Sequence, residues 1–274
     1  MGTVGGPGSR RVILFNDGLF DGHNHTGVGV YDGLVERSQS TVLDSFANSV
    51  GFCGGGLYLV GEADDWDDAS EEWSELVWLN PGGEPEPKQI GRHRPGVFLG
   101  RENQPCVNGT VIGLWRPDSR DGQTPVELWL WRVSDGSVRR VKLVASSGVF
   151  TRPDTALEPG SDSPHWIDGS DLIWIDDLGT AWRSDLKTGK TSKIRDGMGA
   201  NDGPIERWAK AGGYVAAFSY DDDWTNGSVA VYSVKDLSLV ETRELGGLDD
   251  VTPSGQVVLA LAISPDYTPP EDSK

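Results

Sequence analysis

Short apolar runs recur along the chain, separated by segments rich in glycine, aspartate, asparagine and proline. The runs "GLYLV" from Gly56, "TVIGLW" from Thr110 and "YVAAF" from Tyr214 contain the β-branched and aromatic residues that favour strands. The segments between such runs include "SDGS", "LKTGK" and "KDLS", whose residues are typical of tight hairpin turns. The pattern predicts an all-β protein.

These strands form a repeat of roughly 45–50 residues, a period typical of propeller blades. The clearest copies begin at Arg11, Gly56, Thr110, Asp171 and Tyr214. Each copy has an apolar strand, a variable polar loop, an alternating strand, a tight turn and a more polar strand. A short inner strand precedes the later copies, in "NSVGFCGG", "ENQPCVNG", "SPHWIDG" and "IERWAKAG". The repeat predicts a β-propeller of five or six four-stranded blades, with a β-sandwich or an open solenoid as the alternative.

The two chain ends leave the blade count open. After the fifth copy, "DDVTPSGQVVLALAIS" predicts an inner and a second strand, and "GTVGG" near the N-terminus is a poor match to an inner strand. Either five blades close with the C-terminal strands, or a sixth blade is incomplete or is completed by the N-terminus. We predict a flexible N-terminal segment at 1–10, a single β-propeller domain at 11–265 and a flexible C-terminal tail at 266–274.

Two hairpins point to a family resemblance. The segments "LWLWRVSDGSVRRV" and "TAWRSDLKTGKTSKI" resemble the repeats of WD-repeat and TolB-like bacterial propellers. The terminal "DDVTPSGQVVLALAIS" is similar to the "SPDG" strand pair of TolB-like proteins, with "TPSG" in its place. The resemblance covers residues 11–265 as a pattern. It implies a propeller that binds proteins or small ligands, and it implies no particular activity.

The net charge excludes several classes of partner. The chain has 42 acidic residues against 24 lysines and arginines, a formal charge of −18. Such a surface repels phosphate backbones and anionic lipid, so we expect no nucleic acid partner. No run of 18 apolar residues occurs, so we expect no membrane span. The start of the sequence lacks a signal-peptide pattern. We expect an exported bacterial domain, periplasmic or extracellular, with its leader removed; an intact cytoplasmic protein is the alternative.

Two acidic segments, "EADDWDDASEEWSELVWL" and "SYDDDWTNGSVAVYSV", occupy the same slot between the second and third strands. This shared position favours solvated hairpin loops. The alternative is a calcium or carbohydrate site, although neither loop has the spacing or central glycine of a known calcium loop. That site would use Asp64, Asp65, Asp67, Asp68, Asp221, Asp222 and Asp223.

A second metal candidate is the loop "DGHNHTG", in which Asp21, His23 and His25 could hold a transition metal. No third histidine is placed nearby, so an exposed polar loop is favoured. We expect no metal and no cofactor.

The longest connections, "RHRPGVFLGRENQP" and "ASSGVFTRPDTALEPGSDSPHW", predict a binding surface. Arginine and tryptophan are enriched at binding hot spots, and the expected partner is a protein or a small anionic or carbohydrate ligand. For the arginines, the alternative is ion pairing with nearby aspartates. For the tryptophans, the alternative is packing between blades. The candidate binding residues are Arg94, Arg101, Arg152, His165, Trp166, Arg207 and Trp208.

Cys53 and Cys106 precede equivalent strands of adjacent blades, in "CGGGLYLV" and "CVNGTVIG". A disulfide between them is one possibility, and two buried thiols are the other. An oxidised pair would favour an exported protein.

The sequence favours a non-catalytic binding or scaffold domain. No nucleophile elbow, phosphate loop or zinc helix motif is present. The alternative is a carbohydrate-active enzyme in a five-bladed propeller, with axial carboxylates from Asp168, Glu206 and either Asp249 or Asp250. A third reading is a structural interaction domain cut from a longer protein.

Overall fold

The computed structural model describes part of the backbone, and a smaller part of the side chains. The described backbone comprises residues 2–5, 10–17, 25–32, 35–43, 47–61, 74–79, 88–93, 96–99, 104–117, 126–145, 148–149, 163–176, 179–199, 205–220, 226–247, 261, 263–264 and 266–269. Side chains are described at 51–60, 104–115, 126–145, 163–176, 179–199, 205, 207–220, 226–245, 261, 263–264 and 266–269. Among these residues, no helix is long and apolar enough to cross a bilayer.

Five sheets follow one another along the chain, and each contains four consecutive antiparallel strands in chain order. The first has β1 (Gly2–Gly5), β2 (Arg10–Asp17), β3 (His25–Asp32) and β4 (Val35–Leu43). The second has β5 (Ala47–Cys53), β6 (Gly56–Gly61), β7 (Ser74–Leu79) and β8 (Lys88–His93). This is the inner, second, third and outer order that the repeat predicts.

The remaining sheets keep the same order. The third has β10 (Cys106–Val107), β11 (Thr110–Pro117), β12 (Glu127–Arg132) and β13 (Val138–Lys142), and β9 (Gly96–Leu99) also pairs with β11. The short strands β14 (Val144–Ala145) and β15 (Gly148–Val149) pair with each other. The fourth sheet contains β16 (Trp166–Asp168), β17 (Asp171–Ile175), β18 (Ala181–Asp185) and β19 (Lys190–Arg195). The fifth has β20 (Ile205–Ala211), β21 (Tyr214–Tyr220), β22 (Asn226–Ser233) and β23 (Leu239–Gly247).

The chain forms two compact units. Unit 1 contains Met1–Pro153 and Leu186–Gly189, and unit 2 contains Asp154–Asp185 and Lys190–Lys274. The first three sheets belong to unit 1. The strands of the fourth and fifth sheets belong to unit 2.

The core of unit 1 is built from aromatic side chains. All four residues of Leu57–Val60 are buried, so β6 is covered on both faces. Tyr58 meets Trp131 edge to face, with ring centroids 5.6 Å apart, and joins the second sheet to the third. Trp115 and Trp129 stack at 4.1 Å across the β11–β12 pair. These contacts involve three of the eleven tryptophans in the sequence.

Gly51 lies opposite Tyr58 in the β5–β6 ladder. A Cβ atom at Gly51 would lie 2.7 Å from the Tyr58 hydroxyl oxygen, closer than real contacts allow. A glycine is therefore required where the tyrosine ring crosses the neighbouring backbone.

A disulfide joins Cys53, at the end of β5, to Cys106 in β10. The two Cα atoms are 5.5 Å apart, within the distance of about 7 Å that a disulfide spans. The bond links the second and third sheets beside the aromatic cluster of unit 1.

The core of unit 2 lies between its two sheets. Ile173 and Ile175 of β17 pack in one cluster with Val215, Ala217 and Tyr232 of the fifth sheet. The apolar second strands of the repeat therefore supply both sides of this interface, which removes a large apolar area from water.

Polar groups inside unit 2 are joined by hydrogen bonds. The Trp174 indole donates to the Ser184 hydroxyl at 2.9 Å, and that hydroxyl also contacts the Thr191 hydroxyl at 2.8 Å. The buried Asp176 carboxylate accepts from the Trp182 indole and from the Thr180 backbone N–H, both at 2.8 Å. Such pairing offsets the cost of placing these groups away from water.

Parts of the two predicted flexible segments are among the described residues. Residues Gly2–Gly5 form β1 and pair with β2, so the first sheet contains its inner strand. Within the predicted C-terminal tail, the Tyr267 ring packs on Tyr214 at 4.9 Å and its hydroxyl donates to Glu241. The predicted additional strand pair falls mostly on residues 248–260, outside the described residues, and Leu261 and Ile263 are not in strands.

We predict that the Cys53→Ala/Cys106→Ala double variant is less stable than the wild type by about 4 kcal/mol. The bond closes a loop with a sequence separation of 53, and the chain-entropy cost of freeing such a loop has this magnitude. Urea unfolding measured by tryptophan fluorescence gives the difference. Wild-type protein in dithiothreitol is the matched control and should lose the same stability, whereas unchanged unfolding in both samples would show that the bond is absent in solution.

Candidate functional site

A cleft of about 230 Å³ lies in unit 2, on the face of the fifth sheet opposite the unit 2 core. Its floor is apolar because Ala216, Val229 and Val231 project from β21 and β22 on this face. Alternate residues of β23 form its edge, because side chains two apart on a strand share a face. These edge residues are Glu241, Arg243 and Leu245.

The opposite wall of the cleft comes from the C-terminal segment, here defined as the described residues from Leu261 to Pro269. Leu261, Ile263, Ser264 and Tyr267 line the cleft. Leu261, like Val229, also packs against the cluster formed by Phe218 and Tyr220. Among the described residues, the C-terminal segment is what packs on this apolar sheet face, and it leaves the cleft between itself and the sheet.

The polar end of the cleft is a three-residue network. Tyr267 donates its hydroxyl to Oε2 of Glu241 at 2.7 Å. Arg243 donates to Oε1 of the same carboxylate, from Nη2 at 2.6 Å and from Nε at 3.1 Å. The ladder places Val231 beside Glu241 and Val229 beside Arg243, so the apolar floor and the charged pair are adjacent.

This network favours the ionised form of Glu241 and the neutral form of Tyr267. The hydrogen bond from Tyr267 and the neighbouring Arg243 guanidinium hold the pKa of Glu241 below its usual range. Burial, together with the bond to Glu241, raises the pKa of Tyr267 to about 12. Near neutral pH the cleft therefore contains a carboxylate, a guanidinium and a neutral phenol, with no net charge.

The sequence pattern does not point to this site. It predicts a polar outer strand at "LVETREL" and a tail at the end of the chain. The sequence feature that could have indicated the site is the alternation of Glu241, Arg243 and Leu245, which places a leucine and an ion pair on one face of a predicted strand. Tyr267 carried no signal, because its contact with β23 is a long-range one.

Four of the seven predicted binding residues have described side chains: His165, Trp166, Arg207 and Trp208. Arg94, Arg101 and Arg152 lie outside the described residues. His165 and Trp166 are buried, each 8% exposed, which leaves their side chains little surface for a ligand. Burial also lowers the pKa of His165 to about 4, against the opposing effect of a hydrogen bond with the Ser163 backbone.

Arg207 and Trp208 are half-buried in β20. Trp208 packs against the unit 2 core, together with the buried Trp166. Above the Trp166 ring lies the Lys210 ammonium, 6.0 Å from the ring centroid. The two tryptophans therefore contribute to packing between sheets, and ligand binding by the predicted set stays a prediction.

Of the candidate catalytic carboxylates, Asp168 is the one whose side chain is described. Asp168 is exposed at the β16–β17 turn, where Arg183 contacts it at 2.9 Å and contacts Asp171 at 3.5 Å. Glu206 lies in β20, at an irregularity of the β20–β21 ladder, and its side chain is not among those described. Asp249 and Asp250 lie outside the described residues.

The acidic loops and the histidine loop fall mainly outside the described residues. The seven aspartates at 64, 65, 67, 68 and 221–223 lie outside the described residues, as do Asp21 and His23, and His25 is described only as the first residue of β3. Among the side chains that the structure describes, no group of three or more His, Cys, Asp or Glu is arranged to hold a metal ion.

Comparison with known proteins identifies the fold. No protein-family model matches the sequence, and no curated protein matches it either. A subtype N10 neuraminidase-like protein of A/little yellow-shouldered bat/Guatemala/060/2010 has a similar structure, with a TM-score of 0.53 and 10% identity over 89% of this chain and 81% of that chain. The beta-propeller domain of the Trilobed protease from Pyrococcus furiosus gives a TM-score of 0.51 and 10% identity over 92% of this chain and 71% of that chain.

At such low identity these likenesses concern the fold alone. The protein has an all-β, β-propeller fold, and that prediction is confirmed. The assignment to WD-repeat or TolB-like repeats, the choice between five and six blades and the single-domain boundaries stay predictions.

We predict that His165 makes the protein less stable in acid. The pKa of His165 is about 4 in the folded protein and about 6.5 in the unfolded chain. The neutral, buried imidazole therefore contributes fully to the free energy of unfolding above pH 6.5, and this contribution is lost as the pH falls towards 4. The loss amounts to roughly 3 kcal/mol. Urea unfolding between pH 7 and pH 4 measures it, with His165→Gln as the variant that cannot titrate.

Wild-type stability should fall more steeply than that of His165→Gln across this pH range. The other three histidines are common to both proteins, so their titration cancels in the comparison. Parallel pH profiles would show that His165 is not buried in its neutral form.

Proposed function

We propose that this protein is a non-catalytic binding domain whose ligand enters the cleft between β22, β23 and the C-terminal segment. The observation that carries this proposal is the composition of the cleft, which has apolar walls and one polar network at its end. Small-molecule sites are mostly apolar, with a few polar groups that fix the orientation of the ligand.

The volume of the cleft favours a small ligand. An engineered apolar cavity of about 150 Å³ is large enough to bind benzene. A cleft of about 230 Å³ therefore suits a molecule of about ten non-hydrogen atoms. A protein partner, the other occupant that the sequence analysis allows, generally needs an exposed patch of several hundred Å² rather than a recess.

The described carboxylates support a non-catalytic role. A glycosidase needs a carboxylic acid with a raised pKa that faces a second carboxylate about 5–10 Å away. Asp168 instead forms an exposed ion pair with Arg183. Glu241 is held ionised by Tyr267 and Arg243, which is unfavourable for an acid that must donate its proton.

We further propose that the protein functions in an oxidising compartment, such as the periplasm or the extracellular space. The Cys53–Cys106 disulfide supports this location, because cytosolic thiols are usually kept reduced.

We expect the neutral probe 1-octanol to raise the melting temperature of the wild type by about 3 °C at ten times its Kd, through binding to the folded state. Leu245→Trp should abolish the increase, because Leu245 lines the cleft and is 44% exposed, so that an indole can fill the space without disturbing the core. Differential scanning fluorimetry measures the melting temperatures of the wild type and of Leu245→Trp with and without 1-octanol.

Leu239→Trp is the matched control. Leu239 is 48% exposed on the same strand and does not line the cleft, so this variant should respond as the wild type does. Equal responses in all three proteins would overturn the proposed site. Hydrolysis of nitrophenyl glycosides, lost in Asp168→Asn, would favour the enzyme alternative instead.

A further inference from the structure

We infer that the cleft selects a small monocarboxylate with an apolar body, and that Arg243 receives the carboxylate. This inference deepens the proposed binding function and rests on it. Arg243 also determines specificity, because it gives the otherwise apolar cleft a preference for one charge.

The hydrogen-bonding capacity at the polar end favours an acceptor on the ligand. Both oxygens of Glu241 are engaged, Oε2 by Tyr267 and Oε1 by two nitrogens of Arg243. The third guanidinium nitrogen, Nη1 of Arg243, is not engaged by any described residue. The network therefore offers donors to an incoming ligand and has little acceptor capacity left.

Exposure decides which of the two charges a ligand meets. The Glu241 side chain is 13% exposed and the Arg243 side chain is 66% exposed. A ligand at the mouth thus reaches the guanidinium first, and the carboxylate lies behind it. A planar guanidinium binds a carboxylate through charge-assisted hydrogen bonds, whereas an ammonium ligand would be repelled by it.

Tyr267 is a positioning residue for this selection. Its hydroxyl occupies Oε2 of Glu241, and its ring is held edge-on to Tyr214 at 4.9 Å. This contact keeps the Glu241 carboxylate turned towards the C-terminal segment. Arg243 then pairs with Oε1 alone, which leaves Nη1 for the ligand.

The apolar floor fixes where the body of the ligand lies. Val229 is the cross-strand neighbour of Arg243, and Leu245 follows on the same edge of the cleft. An alkyl chain or an aromatic ring that extends from the guanidinium would therefore contact Val229 and Leu245 on one side and Leu261 on the other.

The test compares three probes of equal chain length: octanoate, 1-octanol and octylammonium. Isothermal titration calorimetry of the full chain at low salt should show octanoate binding about fivefold to tenfold more tightly than 1-octanol, an effect limited by the exposure of Arg243. Octylammonium should bind more weakly than 1-octanol. Arg243→Gln should remove the preference for octanoate and weaken 1-octanol binding much less than octanoate binding, and the 1-octanol binding that it retains shows that the variant is folded.

A second variant, Glu241→Gln, tests the same arrangement because it should strengthen octanoate binding, where Arg243→Gln should weaken it. Glu241→Gln removes the negative charge that competes for Arg243 and keeps an oxygen acceptor for Tyr267. Octanoate affinity should rise about threefold relative to 1-octanol affinity measured on the same variant. A decrease in octanoate affinity would overturn the role given to Arg243.

The outcomes separate this inference from the proposed function. If 1-octanol binds as tightly as octanoate, or if Arg243→Gln has no effect on octanoate binding, the ligand is not selected for a carboxylate. The cleft would still be a binding site, and only the inferred class of ligand would be wrong. Tighter binding of octylammonium would overturn the class in favour of a cation held by Glu241. If no probe binds, or if Leu245→Trp leaves binding intact, the proposed function fails as well.

Discussion

Burial of both faces of a β-sheet is the constraint on which unit 2 depends. In the fifth sheet, Val215 and Ala217 face the fourth sheet, while Ala216 and Val229 face the other way. Each face removes apolar area from water only if something packs against it. The fourth sheet covers one face, and the C-terminal segment covers part of the other.

The cleft follows from that incomplete cover. A segment that is not in a strand cannot match the sheet residue for residue, so a recess remains beside Val231 and Leu245. The Glu241 carboxylate at its end keeps its charge because Tyr267 and Arg243 both donate to it. One arrangement therefore anchors the C-terminal segment and supplies the polar end of the candidate site.

The sequence alone predicted the order of the four strands in the second to fifth sheets, because the apolar second strands and the turn residues repeat locally along the chain. It left the inner strand of the first sheet open. It also identified Cys53 and Cys106 as equivalent positions. It could not give the distance between them, since that depends on how neighbouring sheets pack. For the same reason it could not show that His165 and Trp166 are buried rather than available to a ligand.

The candidate site marks the limit of what the sequence determined. Alternation along β23 indicates which residues share a face, since a strand has a period of two. Whether that face meets solvent, another sheet or the C-terminal segment is a long-range property, and tertiary structure decided it. Tyr267 lies 26 residues from Glu241 along the chain, and only folding brings the two into contact. Local periodicity therefore determined the sheets, and packing between distant segments determined the cleft.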